Sequence, residues 1–194
     1  MDPVPKCLFL GVVLLGWLAG CAAQSLPKPV EALDERTGVT VGALKEPIEL
    51  LRNAQISAFA SNQHPSFAYV GPVEWNRSGD LSYGLWVDIA PGSDAQPGDI
   101  RAPQALTLIL DDGSVPLTPT AAPRLGHEPY KQVVSWGQTA YFDLTVATLR
   151  RMAASSKLEL DVRAADGSSL HFSPAQDTRS TLTQYLEARG ITGD

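Results

Sequence analysis

Residues 158–172 read LELDVRAADGSSLHF, and this stretch constrains the fold more than any other. Leu158, Leu160 and Val162 alternate with Glu159, Asp161 and Arg163. A β-strand sorts that period of two into one apolar and one wet face, whereas a helix would scatter it around its circumference. Register then selects the turn. A two-residue Asp166-Gly167 turn would set inward Val162 against outward His171. A three-residue loop Ala165–Gly167, with Gly167 left-handed, pairs Val162 with Leu170 and Leu160 with Phe172, and puts His171 opposite Asp161 on the solvent face.

The same cadence runs through the rest of the chain: short β-branched and aromatic segments separated by Gly, Pro, Asn and Asp. Strands are expected at 37–42, 55–60, 67–75, 81–89, 105–111, 114–118, 132–136, 139–144, 157–164 and 169–173. Residues 46–54 fit either a helical turn opened by Pro47 or a short strand over Ile48–Leu51. In TLILDDGSVPL, an Asp112-Gly113 turn pairs Leu110 with Val115 and Leu108 with Leu117, and Pro116, lacking an amide hydrogen, places its strand at a sheet edge on the rim. Two helices are expected. One is capped by Thr145 with Val146, Leu149, Met152 and Ala153 along a stripe; the other is opened by a Ser173/Gln176 capping box with Pro174 at its first position and closed by Gly190. Leu182, Tyr185 and Leu186 form the apolar face of the second. The expected fold is mainly β (α+β): an antiparallel two-layer β-sandwich, open to an immunoglobulin-like topology, with two helices packed on it.

The most unusual stretch is residues 67–92. Leu81, Tyr83, Leu85, Val87 and Ile89 share one face, which leaves the large indole of Trp86 among Ser82, Gly84 and Asp88 on the other. Either a helix or second sheet covers Trp86, a core or boundary tryptophan beside a glycine that makes room for it, or it lies in a groove lined also by Trp75 or Trp136, an aromatic platform for glycan or peptide. Residues 76–80 read as a hairpin loop, where Arg77 is either solvated or pairs with a partner's carboxylate.

The first residues belong to a different physical regime. Residues 8–18 are an apolar run preceded by Lys6, well short of the roughly 20 residues that cross a bilayer and matching a signal-peptide core. Leu18-Ala19-Gly20-Cys21 resembles the lipobox of bacterial lipoproteins at every position. The resemblance implies cleavage before Cys21, a diacylglycerol thioether on its sulfur, acylation (palmitate) of its new amine and, with Ala22 next, the outer membrane of a Gram-negative cell. Two or more acyl chains hold a protein stably where one binds reversibly. The expected organisation is a signal peptide over 1–20, a lipidated N-terminus and Pro-punctuated tether over 21–36, and one β-rich periplasmic domain over 37–194. DERTGVTVGAL (34–44) and GPVEWNR (71–77) are similar to segments of uncharacterised proteobacterial lipoproteins, a resemblance over about residues 34–90 that implies no activity.

By the same resemblance Cys7 would leave with the signal and Cys21 would be consumed by the lipid, so the mature chain is expected to have no thiol chemistry and no disulfide. A net charge of −6 without a Lys/Arg cluster gives no basis for gripping nucleic acid. His64, His127 and His171 have no second ligand at metal-binding spacing, HExxH and G-x-S-x-G are absent, and Asp111-Asp112 reads as turn chemistry rather than a calcium loop. His171 with Asp161 reads as a cross-strand contact rather than part of a catalytic triad. No metal or other cofactor is expected. The function expected is a non-catalytic binding or scaffolding module in the envelope, its partner a protein or glycan. The alternative is a carbohydrate-binding or hydrolytic accessory protein using an aromatic groove around Trp86.

Overall fold

A computed structural model describes residues 28–52, 65–92, 105–121, 123, 125–126, 128–163, 167 and 169–191. The strands are Pro29–Asp34 (β1), Val39–Leu44 (β2), Ile48–Arg52 (β3), Phe67–Arg77 (β4), Asp80–Ala90 (β5), Leu106–Leu110 (β6), Gly113–Leu117 (β7), Pro119–Thr120 (β8), Gln138–Leu144 (β9), Glu159–Arg163 (β10) and Ser169–Pro174 (β11). The helices are Val146–Ala154 (α1) and Arg179–Ala188 (α2). The architecture is mainly β, antiparallel, with two helices, as the patterning predicts.

All the strands join one sheet in the order β7-β6-β10-β11-β3-β4-β5-β9-β8. Its two ends are consecutive in the chain, separated by Thr118, whose carbonyl accepts from the Asp143 N–H at 2.9 Å. The layers of the sandwich are therefore joined, and the sheet comes close to a barrel. Strand β4 makes this possible. Its first half, Phe67–Val70, pairs with β3 and its second, Val73–Asn76, with β2, while β5 runs along its whole other side. Strand β1 extends β2 outward.

One face of the sheet is the core. Leu108, Leu160 and Phe172 form one cross-strand row and Leu50, Ala68 and Ile89 another, all without solvent contact. Each large side chain so buried contributes about 1.5–3 kcal/mol. The helices complete this core with Leu149 and Met152 of α1 and Leu182 and Tyr185 of α2. Thr145 caps α1 as expected, accepting from the Thr148 N–H at 3.0 Å. The opposite face is polar across β10 and β11, where Asp161 stands opposite His171 in the predicted register and Gly167 has φ +88°. Ala164–Asp166 and Ser168 lie outside the described residues.

Several expectations are corrected. Residues 29–34, assigned to the tether, are strand β1, so the folded domain includes residues before 37. Pro29 is tolerated because it is the first residue of an edge strand, where no ladder hydrogen bond is lost. The expected strand at 37–42 starts at Val39, because Asp34 accepts the Arg36 N–H on its carboxylate and the Gly38 N–H on its carbonyl, making 35–38 the connecting turn. The 55–60 strand lies outside the described residues, and the ambiguous 48–51 segment is strand β3. In the β6–β7 hairpin the turn is Asp111-Asp112, pairing Leu110 with Gly113 and Leu108 with Val115, two residues from the expected register. The slip is even, so every side chain keeps its face and Pro116 keeps its edge. Both aspartates are drawn to the end of α1: Asp111 accepts from the Ser156 N–H at 2.6 Å and Asp112 pairs bidentately with Arg151.

Helix α2 starts at Arg179, because residues to Pro174 are committed to β11 and the carboxylate of Asp177, not Ser173, takes the Arg179 N–H at 2.9 Å. Gly190 ends it at φ +68° as expected.

Candidate functional site

Trp86 and Trp75 lie on the outer face of β4–β5, yet they are 1% and 5% exposed. The cover of Trp86 is neither helix nor sheet but the segment leading into β9. Its Tyr130 ring lies 5.1 Å from that of Trp86, over Gly71, the cross-strand partner of Trp86. The Tyr130 hydroxyl donates to the Pro72 carbonyl and accepts from the Leu44 N–H, both at 2.9 Å. Those two groups sit at the break where β4 leaves β2 for β3, and a buried unpaired N–H or C=O there would cost about 1–3 kcal/mol. Trp75 packs likewise over Gly84 and 5.8 Å from Tyr141, whose hydroxyl donates to Glu128. Of the two readings open for Trp86, the sealed one holds among the described residues: Gly71 and Gly84 make room for the rings of Tyr130 and Trp75, and Tyr130 packs on Trp86 while Tyr141 packs on Trp75.

Trp136 is the opposite case, 62% exposed. Residues 132–136, expected as a strand, form a tight turn instead, with the Gly137 N–H donating to the Val134 carbonyl. The cause is Asp88, which has no solvent contact. Its carboxylate accepts from the Val133 N–H and the Thr139 hydroxyl, each at 3.2 Å, and a side chain at Gly137 would collide with it. Burial raises the Asp88 carboxyl above its ordinary value, against the hydrogen bonds from Val133, Thr139 and Gln132 that favour the ionised form. A buried carboxylate thus holds a turn that presents Trp136 and half-exposed Val133 to solvent.

Val133 also lines an open cleft of about 740 Å³, together with Ile48 and Tyr69. Glu46, Glu49 and Asp177 bring carboxylates to it. Asp177 is neutralised by a bidentate pair with Arg179, whereas Glu46 and Glu49 are exposed and have no ion pair among the described residues. Burial first, then the charge of Glu49, pushes the Tyr69 phenol up to about 12. The floor includes Thr178 and Thr181, 4% and 3% exposed. Thr178 precedes α2 with helical backbone angles and no side-chain cap hydrogen bond, and neither hydroxyl has a hydrogen-bond partner among the described residues.

Arg77 is exposed beside the Ser78-Gly79 turn of β4–β5, where it faces Asp80 across the ladder. Cys21 lies outside the described residues. His171 stands between two carboxylates, Asp161 at 2.6 Å and Glu159 at 3.3 Å, an arrangement that orients the ring on the outer face. A further polar cluster ties α2 to the sheet. Arg189 lies across Gly42, 2.7 Å from Glu31 and 3.9 Å from buried Glu74, whose Oε2 has no hydrogen-bond partner among the described residues.

Of the expected site residues, only Trp136 lies beside the cleft segment. Sequence reading missed Asp88, Tyr69, Thr178, Thr181, Glu46 and Glu49. A signal existed for Asp88 alone: a charge on a face carrying Trp86 and Gly84.

Comparison with protein families, with curated proteins and with solved structures finds no match to this chain. Among the described residues, no helix is long and apolar enough to cross a membrane.

Proposed function

We propose that this protein is a non-catalytic docking module, held at the outer membrane by lipid on Cys21 and facing the periplasm, that engages an envelope partner through the Trp136 turn and the adjoining cleft. The observation that carries the reading is the buried Asp88 carboxylate. Burying an ionisable group is costly unless its hydrogen bonds are met, and here the groups that meet them are those that fix an exposed tryptophan and valine in one geometry. Rigid, exposed aromatic residues carry a large share of binding energy at protein interfaces. The anchor follows from the Leu18–Cys21 motif and the apolar run before it.

The test is a photo-crosslinking side chain at position 136 of the full-length protein in intact cells, with exposed Arg163 as the control position. The reading requires a discrete adduct at 136 and none at 163. The same pattern at both positions, or no adduct at either, overturns it. Cys21→Ser tests the anchor separately, since the unacylated protein should leave the membrane fraction.

A further inference from the structure

Resting on that docking reading, we infer that the cleft between β3, β4 and the start of α2 takes a basic, extended peptide segment of the partner. Three features of the cleft point to this occupant.

The first is charge. Glu46 and Glu49 stand at the cleft without counter-ions among the described residues, whereas Asp177 already has Arg179. The local field therefore attracts a cation, and the net charge of −6 reinforces it at long range. The second is the floor. Thr178 and Thr181 are more than nine-tenths buried, line the cleft, and have no hydrogen-bond partners among the described residues. Each hydroxyl is both donor and acceptor, so the pair matches the N–H and C=O of an extended backbone. The third is the wall. Ile48, Val133 and the Tyr69 ring offer apolar surface to a lysine or arginine stem whose charged head reaches a carboxylate. An anionic occupant would be repelled by Glu46 and Glu49, and a purely apolar one would leave the two hydroxyls dry.

The test uses the acylated full-length protein in nanodiscs of phosphatidylcholine, whose zwitterionic headgroups do not capture basic peptides. The probes are acetyl-(Lys-Val)₃-amide and its Glu-Val and Gln-Val twins, followed by methyl shifts of Ile48 and Val133. The lysine peptide should bind saturably and weaken as salt rises; the glutamate twin should not bind. Glu46→Gln with Glu49→Gln, both at exposed positions, should weaken the lysine peptide roughly tenfold. Thr181→Val should weaken all binding peptides without lowering stability, because its hydroxyl is unpartnered. Equal binding of the three peptides, no binding of the lysine peptide, or indifference to the glutamine substitutions overturns the basic-segment inference. A specific adduct at 136 combined with any of these results leaves the docking reading standing and removes only its occupant. Loss of both removes the site.

Discussion

The ring of Tyr130 lies directly over Gly71: a Cβ built on that glycine would stand 2.2 Å from the tyrosine Cζ. The contact explains why a glycine sits in the middle of an eleven-residue strand, where it otherwise weakens the sheet. It also couples the outer cover to the β2–β4–β3 junction through the tyrosine hydroxyl. Gly71→Ala should therefore destabilise by at least the usual overpacking cost of about 1–3 kcal/mol. Tyr130→Phe should cost about 1–3 kcal/mol by leaving the Leu44 N–H and Pro72 C=O unpaired. Urea unfolding of the two variants and their double mutant checks this: the residues touch, so the effects should not add.

The tryptophans divide sharply. Trp86→Ala should cost about 3–5 kcal/mol as a core deletion, whereas Trp136→Ala should stay within about 0.5 kcal/mol of the parent. Thermal unfolding distinguishes them, and equal losses would contradict the placement of Trp136.

Asp88 makes a pH-dependent contribution of definite sign. Its folded-state carboxyl is raised, with burial the leading cause. Below the unfolded-state value both states hold the proton. As pH rises, the unfolded chain releases it first, so the stabilising contribution is lost as pH passes through the raised folded value. The stability advantage of the parent over Asp88→Asn should thus shrink from the ordinary carboxyl range upward. Denaturant titrations at stepped pH read this directly, and an advantage that grows with pH would refute it.

Asp111 behaves oppositely. The hydrogen bonds from Ser156, foremost its backbone N–H, lower its carboxyl. Its contribution is present above the unfolded value and lost as pH falls through the folded one. Asp111→Asn should flatten the acid limb of the stability profile and speed amide exchange in the β6–β7 hairpin, which hydrogen exchange can follow.

Glu74 depends on Arg189 across Gly42. Burial raises the Glu74 carboxyl, and the guanidinium charge is the largest effect opposing it. Arg189→Met should raise it further and make the variant lose stability as pH increases. Gly42→Ala should also destabilise, since the added Cβ would lie 2.4 Å from Arg189 Nη1. Side-chain carboxyl NMR of Glu74 across pH tests the first effect and urea unfolding the second.

Much of the fold was legible where one short-range rule sufficed. The alternation at Leu158–Val162 predicted both the strand and its register with Leu170 and Phe172, because a one-residue slip would have turned an apolar face to water. Thr145, Gly190 and Pro116 were readable from capping and ladder chemistry. Failures arose where a distant group competed. The hairpin turn moved by two residues because Arg151 and Ser156 bind its aspartates; α2 began late because Ser173 and Pro174 pair with Leu51 and Leu50 of β3. The 132–136 segment looked like a strand by composition, yet Asp88, more than forty residues earlier, bends it into a turn.

From the sequence alone came the β class, the alternating faces, both helices and the expectation of a lipid-anchored cysteine, since periodicity, capping and the apolar run are properties of neighbouring residues. Which tryptophan is sealed and which is presented could be decided only in three dimensions. Trp86, Trp75 and Trp136 carry the same indole; their fates differ because Tyr130 and Trp75 can settle over Gly71 and Gly84, while buried Asp88 turns the chain outward at Trp136. The cleft has the same origin, as strands β3 and β4 and the start of α2 meet there only in the folded chain.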